Sequence, residues 1–219
     1  MSQQVTEYYT NTCRELVEFL GSNMQLSGRV LEVGCAAGRA GPLLRGLGAA
    51  VLEGIEPYPK AAELACSSGI YDAVYCCTWD DWLPTSESYD AIIFADVLEH
   101  LADTDAVLRR VHALLSVPTG KLVLSLPNVR HLSVLLDLVV RGEWRYRPAG
   151  ILDQTHLRFF TSKSASRLLR ENDYCMEAFA RYGDLRLTRR LASVWPWLGE
   201  FLLSQLFIIA APIASKRPG

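Results

Sequence analysis

The stretch "LEVGCAAGRAG", Leu31 to Gly41, runs from a short apolar segment into a glycine-bearing turn, a combination that brings backbone N–H groups close to a ligand. A dinucleotide fingerprint starting at Gly34 needs glycine at positions 36 and 39, where this chain has Ala36 and Arg39. Those glycines let backbone approach a pyrophosphate and let the next helix pack closely, so their loss counts against NAD or FAD. Gly34 and Gly38 instead bracket a turn suited to a smaller ligand with an adenosine and no pyrophosphate. Glu56 stands 22 residues after Gly34, where a carboxylate at a strand end can accept two hydrogen bonds from a ribose diol. "TWDDW" at 78–82 offers Trp79 and Asp80 to an adenine plane and its amine. "ADVLEHL" at 95–101 adds more carboxylates. Several carboxylates around one pocket are awkward for phosphate but compatible with a sulfonium and an ammonium.

These residues need elements to hold them at one rim. Helical spacing puts Val5, Tyr9, Cys13, Leu16, Val17 and Leu20 on one face, with Gly21 as a stop. "RVLEV", "VLEGIEP", "AVYCC", "YDAIIFAD" and "GKLVLSLPN" read as buried strands, and the segments between them as helices, Asp103 capping the one that carries Val107, Val111, Leu114 and Leu115. Strands alternating with helices of this length predict an α/β fold with a doubly wound, mostly parallel sheet that binds ligands beyond its carboxyl strand ends. "YCMEAFARYG" and "LFIIAAPIA" add two late strands, the second antiparallel beside the first. The expected organisation is one domain over 1–219: a cofactor half at 1–129, a cap insertion at 130–160, and a helix opening near Thr161 with the last strands at 161–219.

The 219 residues are half apolar and carry a net charge of −2, which argues for a globular chain and against nucleic acid held on a general basic surface. The charge is uneven: residues 1–129 hold 8 Lys/Arg against 16 Asp/Glu, and residues 130–170 hold 8 against 3. None of the six cysteines forms a Cys-x-x-Cys pair or has a His at metal-ligand spacing, so the expectation is reduced thiols in a cytoplasmic protein with no metal. The amino terminus lacks the pattern of a signal peptide. The run "LASVWPWLGEFLLSQLFIIAAPIAS" approaches membrane-span length, but Glu200, Gln205, Pro196 and Pro212 interrupt it. It reads as core, with peripheral membrane contact through Trp195 to Leu206 as an alternative.

With "VLEVGCAAG", "GIEPYPKA", "YDAIIFADVLEHL" and "LLSVPTGKLVLSLPNV" in this order, residues 28–130 resemble class I S-adenosylmethionine-dependent methyltransferases. The resemblance implies a Rossmann-like seven-stranded sheet and S-adenosylmethionine as cofactor. By position it implies Glu32, Gly34, Cys35, Ala36 and Gly38 along the methionine moiety, and Glu56 on the ribose with Pro57 and Tyr58 beside the adenosine. It further implies Trp79 and Asp80 at adenine, and Asp96 and Val97 near the sulfonium. Two departures stand out: Ala36 replaces a glycine of the loop, and Thr119 replaces the first of a Gly-Gly pair.

The segment "SLPNVRHLSVLLDLVVRGEWRYRPAGILDQTHLRFFTSKS", over residues 124 to about 170, resembles a narrower branch, methyltransferases associated with polysaccharide and sugar-conjugate biosynthesis. That implies O-methylation of a hydroxyl on a sugar, sugar conjugate or related natural product. Transfer to a hydroxyl needs the oxygen on axis, water excluded and a proton removed. His156 and His131 are the candidate bases, with Asp153 orienting the imidazole of His156, and His100 ranks third. A structural role for His156, fixing the cap, is the alternative. Asn128, Arg130, Trp144 and Arg158 are candidate acceptor contacts, the arginines of the basic segment (Arg130, Arg141, Arg145, Arg147, Arg158) suiting an anionic group. N-methylation, a tRNA substrate and a non-catalytic cofactor-binding scaffold remain competing readings.

Overall fold

The computed structural model describes residues 14–84, 86, 88–183 and 186–213. The helix α1, residues 14–23, buries Leu16, Val17 and Leu20 as its spacing requires, and continues two residues past Gly21. The other residues assigned to that face, Val5, Tyr9 and Cys13, lie outside the described residues. Seven strands follow: β1 (Arg29–Val33), β2 (Val51–Ile55), β3 (Ala73–Tyr75), β4 (Ala91–Ala95), β5 (Lys121–Pro127), β6 (Tyr174–Tyr182) and β7 (Gln205–Pro212). Between them lie α2 (Gly41–Gly46), α3 (Pro59–Ser67), α4 (Thr104–Leu114), α5 (Leu132–Val140), α6 (Ser162–Glu171), α7 (Arg186–Val194) and α8 (Gly199–Leu202).

The strands form one sheet in the order β3-β2-β1-β4-β5-β7-β6. The first five are parallel; β7 enters antiparallel between β5 and β6, as the late-strand reading expects. Strand β7 is buried along its whole length, which accounts for residues 205–212 of the apolar run at the carboxyl terminus, while Trp195 and Trp197 of the same run are exposed. No helix among the described residues is long and apolar enough to cross one. Burial on both faces explains why β1, β4, β5 and β7 are nearly continuous apolar runs. One face packs with Leu16, Leu20, Leu44 and Ala65 of α1 to α3, the other with Val107, Val111, Ala165 and Leu169 of α4 and α6.

Local signals set the helix starts. Asp103 accepts the Ala106 N–H at 2.9 Å at the start of α4, and Thr161 and Ser164 form a reciprocal capping box on α6. The strand order reverses at β1, whose neighbours are β2 and β4, so the crevice beyond their carboxyl ends is where such a sheet opens for a ligand.

Candidate active site

The crevice is built from the residues that end β1, β2 and β4. After β1 the chain turns through three left-handed residues, Gly34 (φ 75°), Ala36 (φ 47°) and Gly38 (φ 76°). A side chain at Gly34 would come within 2.5 Å of Val97 Cγ2, so glycine keeps the loop against the β4 end. Ala36 has no such exemption and costs about 1–2 kcal/mol in this conformation. Its N–H donates to Glu56 Oε2 at 2.9 Å, while the Tyr58 N–H donates to Glu56 Oε1 at 3.0 Å. Glu56 thus ties the two loops together, and each carboxylate oxygen keeps a further lone pair for a hydroxyl. Pro57 and Tyr58, which follow it in sequence, and Asp80 are exposed, Tyr58 strongly so at 73%.

Two other members of the predicted set pack rather than line the crevice. Cys35 is buried, its Sγ against Gly54, and burial together with Glu32 and Glu56 pushes its thiol up. Trp79 lies in the core, edge-on to Phe94 at 5.2 Å, stacked with Trp82 at 5.6 Å and covered by the Arg110 guanidinium at 4.6 Å. An adenine cannot stack on that ring in this arrangement, and the exposed Asp80 is left as the group of this pair that can reach one.

Two carboxyls are held near neutrality. Burial pushes Glu32 up to about 7, partly opposed by the hydrogen bond from the Tyr71 hydroxyl. Burial pushes Asp96 up to about 6, partly opposed by hydrogen bonds from Ser125 (2.8 Å) and Gln205. Asp96 sits at φ 55°, a backbone conformation tolerated where the surrounding contacts over-determine it.

Beside Asp96 the segment predicted to cap the site docks onto the end of β4. Both the Leu157 and Arg158 N–H groups donate to the Glu99 carbonyl, at 2.8 and 3.0 Å, which brings "THLRFF" against the 3₁₀ turn Leu98–His100. Asp96, Glu99, His100, Pro127, Gly150, Asp153 and His156 line a small polar cavity there. His156 is 8% exposed and its Nδ1 lies 3.0 Å from the Ile151 carbonyl, so Nδ1 carries the proton and Nε2 keeps its lone pair toward the cavity. Burial holds its pKa below the usual histidine value. The sequence reading assigned its orientation to Asp153; the carbonyl of Ile151 does that instead. The Asp153 carboxylate accepts from the Thr155 N–H (2.8 Å) and hydroxyl (2.6 Å), shaping the turn from which the ring projects.

Other predicted site residues have structural duties. His131 caps α5, its Nδ1 near the Ser133 hydroxyl at 2.8 Å. Asn128 is fully buried; it donates to the Glu200 and Leu203 carbonyls and accepts from the Arg130 N–H, which uses both amide hydrogens and one lone pair of Oδ1. Arg130 pairs with Glu200 at 3.0 Å, and Arg158 donates to the Ala102 carbonyl at 3.1 Å. Arg141 and Arg147 both pair with Asp137. The basic segment is therefore largely engaged within its own chain. Trp144 remains at the surface, edge-on to Phe159 at 5.2 Å, with Phe159 also near Tyr146 (6.2 Å) and His156 (6.3 Å).

Sequence reasoning counts Glu99 only among the carboxylates of "ADVLEHL", without a role of its own, and ranks His100 third among the histidines. Glu99 is completely buried, and neither carboxylate oxygen has a hydrogen-bond partner. Burial and Asp96 hold it well above the usual carboxylate range. A glutamate in an "LEHL" turn looks like a solvated helix-start acid; only the docking of residues 155–158 buries it.

A parallel sheet of this order with a glycine turn, a strand-end glutamate and no pyrophosphate loop defines the S-adenosylmethionine-dependent methyltransferase class. The family described as "Methyltransferase domain" matches residues 5–178, and the chain belongs to it. It is 31% identical over 166 residues to the ubiquinone biosynthesis O-methyltransferase of Bradyrhizobium sp. (strain ORS 278), a match covering 73% of this chain and 64% of that protein. The chain thus spans less than two thirds of the length of that curated relative. Among solved structures, a putative S-adenosylmethionine-dependent methyltransferase from Listeria monocytogenes superposes with a TM-score of 0.62 at 16% identity, covering 92% of this chain and 97% of that one. The N-methyltransferase NodS from Bradyrhizobium japonicum WM9, solved with S-adenosyl-L-homocysteine, gives 0.60 at 19% identity over 92% and 86%. These likenesses concern the fold. S-adenosylmethionine is the cofactor of the class, and the residues at the rim fit it: the left-handed turn Gly34–Gly38 presents backbone at the end of β1, and each Glu56 oxygen keeps a lone pair beyond its one backbone N–H partner.

Proposed function

We propose that the protein O-methylates a hydroxyl of a small, ring-bearing acceptor, and that the acceptor oxygen lies in the cavity between Asp96 and His156. The observation that carries this reading is the His156 imidazole, buried, held as a single tautomer by the Ile151 carbonyl and aimed at the β4 end where a sulfonium belongs. S-adenosylmethionine supplies an electrophilic methyl on a positively charged sulfur. Glu56 holds the ribose, and Asp80 and Tyr58 border the adenosine. Glu32 and the Gly34–Gly38 loop enclose the methionine end, where a carboxyl beside an ammonium regains its charge. Closure of residues 150–158 over the cavity excludes water from the transfer. His156 then assists loss of the hydroxyl proton, the requirement that separates an alcohol from a competent nucleophile.

The cap motif favours a carbohydrate-type acceptor, and the Trp144–Phe159–Tyr146 cluster supplies a face for a ring to rest on. Because Arg130, Arg141, Arg147 and Arg158 are engaged internally, a neutral acceptor fits better than the anionic one expected from charge counting. A phenolic ring is the second reading, favoured by the name of the relatives, O-methyltransferases of ubiquinone biosynthesis. Incubation with S-adenosylmethionine and paired panels of nucleotide-linked sugars, neutral glycosides and catechols decides between them, with the methylated atom located by NMR. Methyl ethers on sugar hydroxyls support the first reading and on phenols the second. Transfer only to nitrogen, or cofactor binding without transfer to any member, overturns the proposal.

A further inference from the structure

The cavity holds a set of donors that a proton-handling role for His156 leaves unexplained. His156 and His100 share one arrangement: each directs Nδ1 at a backbone carbonyl, Ile151 at 3.0 Å and Thr155 at 3.2 Å. A carbonyl only accepts, so both Nδ1 atoms carry protons and both Nε2 atoms present lone pairs. The rings stand edge to face with centroids 4.8 Å apart. The Glu99 carboxylate completes the group, fully buried, without a hydrogen bond, and 3.9 Å from His156 Nε2. One ligand atom from each of Glu99, His100 and His156 lies within 4.8 Å of the others. A buried carboxyl without a hydrogen-bond partner beside two lone pairs is relieved either by a proton or by a cation bound between them, and three converging donors suit the cation.

We propose that Glu99, His100 and His156 bind one divalent transition-metal cation, whose open positions face the cavity and take the acceptor oxygen. Two imidazoles and a carboxylate select the zinc, cobalt, manganese and iron class over magnesium or calcium, which prefer all-oxygen shells. Metal–ligand bonds of about 2.0–2.2 Å put ligand atoms roughly 3–3.5 Å apart, so the site closes by about 1 Å on binding. The Ile151 and Thr155 carbonyls are the outer partners that fix imidazole ligands in metal sites. Asp153, through its grip on Thr155, is a positioning residue for His100. A hydroxyl bound to the cation loses its proton to water at lower pH, which is how His156 assists the transfer. This last role rests on the O-methyltransferase reading; the cation site stands on the donors alone. It replaces the metal-free expectation drawn from sequence spacing, which could not see that positions 99 and 156 meet.

The test is titration of chelator-treated protein with cobalt(II) chloride, followed by visible d–d absorption, with calorimetry of S-adenosylmethionine binding on the same samples. The expected result is one cobalt per chain, displaced by zinc. Glu99→Gln and His156→Gln weaken cobalt binding by about 100-fold or more, since losing an outer partner alone costs 10–100-fold. His112→Gln, a substitution on α4 outside the cavity, leaves it unchanged. Retained cofactor binding and circular dichroism certify that each variant is folded. Absence of stoichiometric cobalt in cofactor-binding protein, or binding indifferent to both cavity variants, overturns the site. Cobalt binding with transfer fully active in chelator overturns the acceptor role, and cobalt binding without any cofactor binding overturns the methyltransferase reading while leaving the cation site intact.

Discussion

The cofactor rim and the cap meet at Asp96, yet they are built on opposite plans. At the rim, the Glu56 carboxylate already has a partner for each oxygen, and the loops it joins are held by backbone hydrogen bonds and glycine geometry. Where the cap docks on the turn after β4, its backbone is pinned by the Leu157 and Arg158 N–H groups on the Glu99 carbonyl, while the Glu99 carboxyl of that turn has no hydrogen-bond partner and the His156 Nε2 keeps its lone pair. The rim is pre-organised for a ligand of fixed shape. The cap stores unsatisfied polarity, which is what a reacting centre or a cation uses. Leu136, Leu138, Val139 and Val140 of α5 and Trp195 and Trp197 near α8 are exposed and apolar.

The comparison makes opposite forecasts for its two halves. His156→Ala is expected to slow transfer by about 10²- to 10⁴-fold with cofactor affinity nearly unchanged, measured by single-turnover assays beside calorimetry. A comparable loss of cofactor affinity would erase the distinction. Glu56→Ala is expected to do the reverse, weakening cofactor binding by roughly 1.5–3 kcal/mol through lost charge-assisted bonds. Part of that loss reflects the freed Ala36 and Tyr58 N–H groups, so Glu56→Gln, which keeps an acceptor, should fall between the two.

Asn128→Ala sharpens the contrast differently. The substitution strips hydrogen bonds from the Glu200 and Leu203 carbonyls, and chemical denaturation should show a loss of about 1–3 kcal/mol. An effect on acceptor affinity at full stability would instead return Asn128 to the substrate site.

The rim also has a pH signature. Glu32 has its pKa raised by burial to about 7, so the folded state holds a proton that the unfolded state releases near pH 4.5. Its contribution to stability is complete below pH 4.5 and is lost as pH rises through 7. Cofactor-free protein should therefore lose more stability between pH 5 and 8 than its Glu32→Gln variant, as read from denaturant midpoints. Equal losses would mean that Glu32 is ionised throughout. The smallest effect is expected of Ala36→Gly, which relieves the left-handed strain at φ 47° but adds unfolded-state entropy. A net gain of up to about 1 kcal/mol in stability is the outcome to look for.

Most of the fold was legible because its signals are local. Short apolar runs gave β1, β2, β4 and β5, with glycine closing the first and opening the last, Asp103 and Thr161 marked helix starts, and the late antiparallel pair followed from two apolar stretches. Glu56 was legible for the same reason, since its place at a strand end fixes what it can face. The packed position of Trp79 was not legible because its burial depends on Phe94 and Arg110, both distant in sequence, as well as on Trp82. The arginines of residues 130–158 were counted as free charge because their partners, Asp137, Glu200 and the Ala102 carbonyl, are chosen by packing.

The sequence by itself thus determined the order of elements, the turn chemistry at Gly34–Gly38 and the strand-end carboxylates, all set by the periodicity and backbone preferences of neighbouring residues. Tertiary structure alone decided that Glu99 is buried without a hydrogen-bond partner, that His100 and His156 line one cavity with it, and that Asn128 serves the core. Those properties depend on which segments dock across 50 or more residues of chain, as His156 does on Glu99, and on the desolvation that docking imposes.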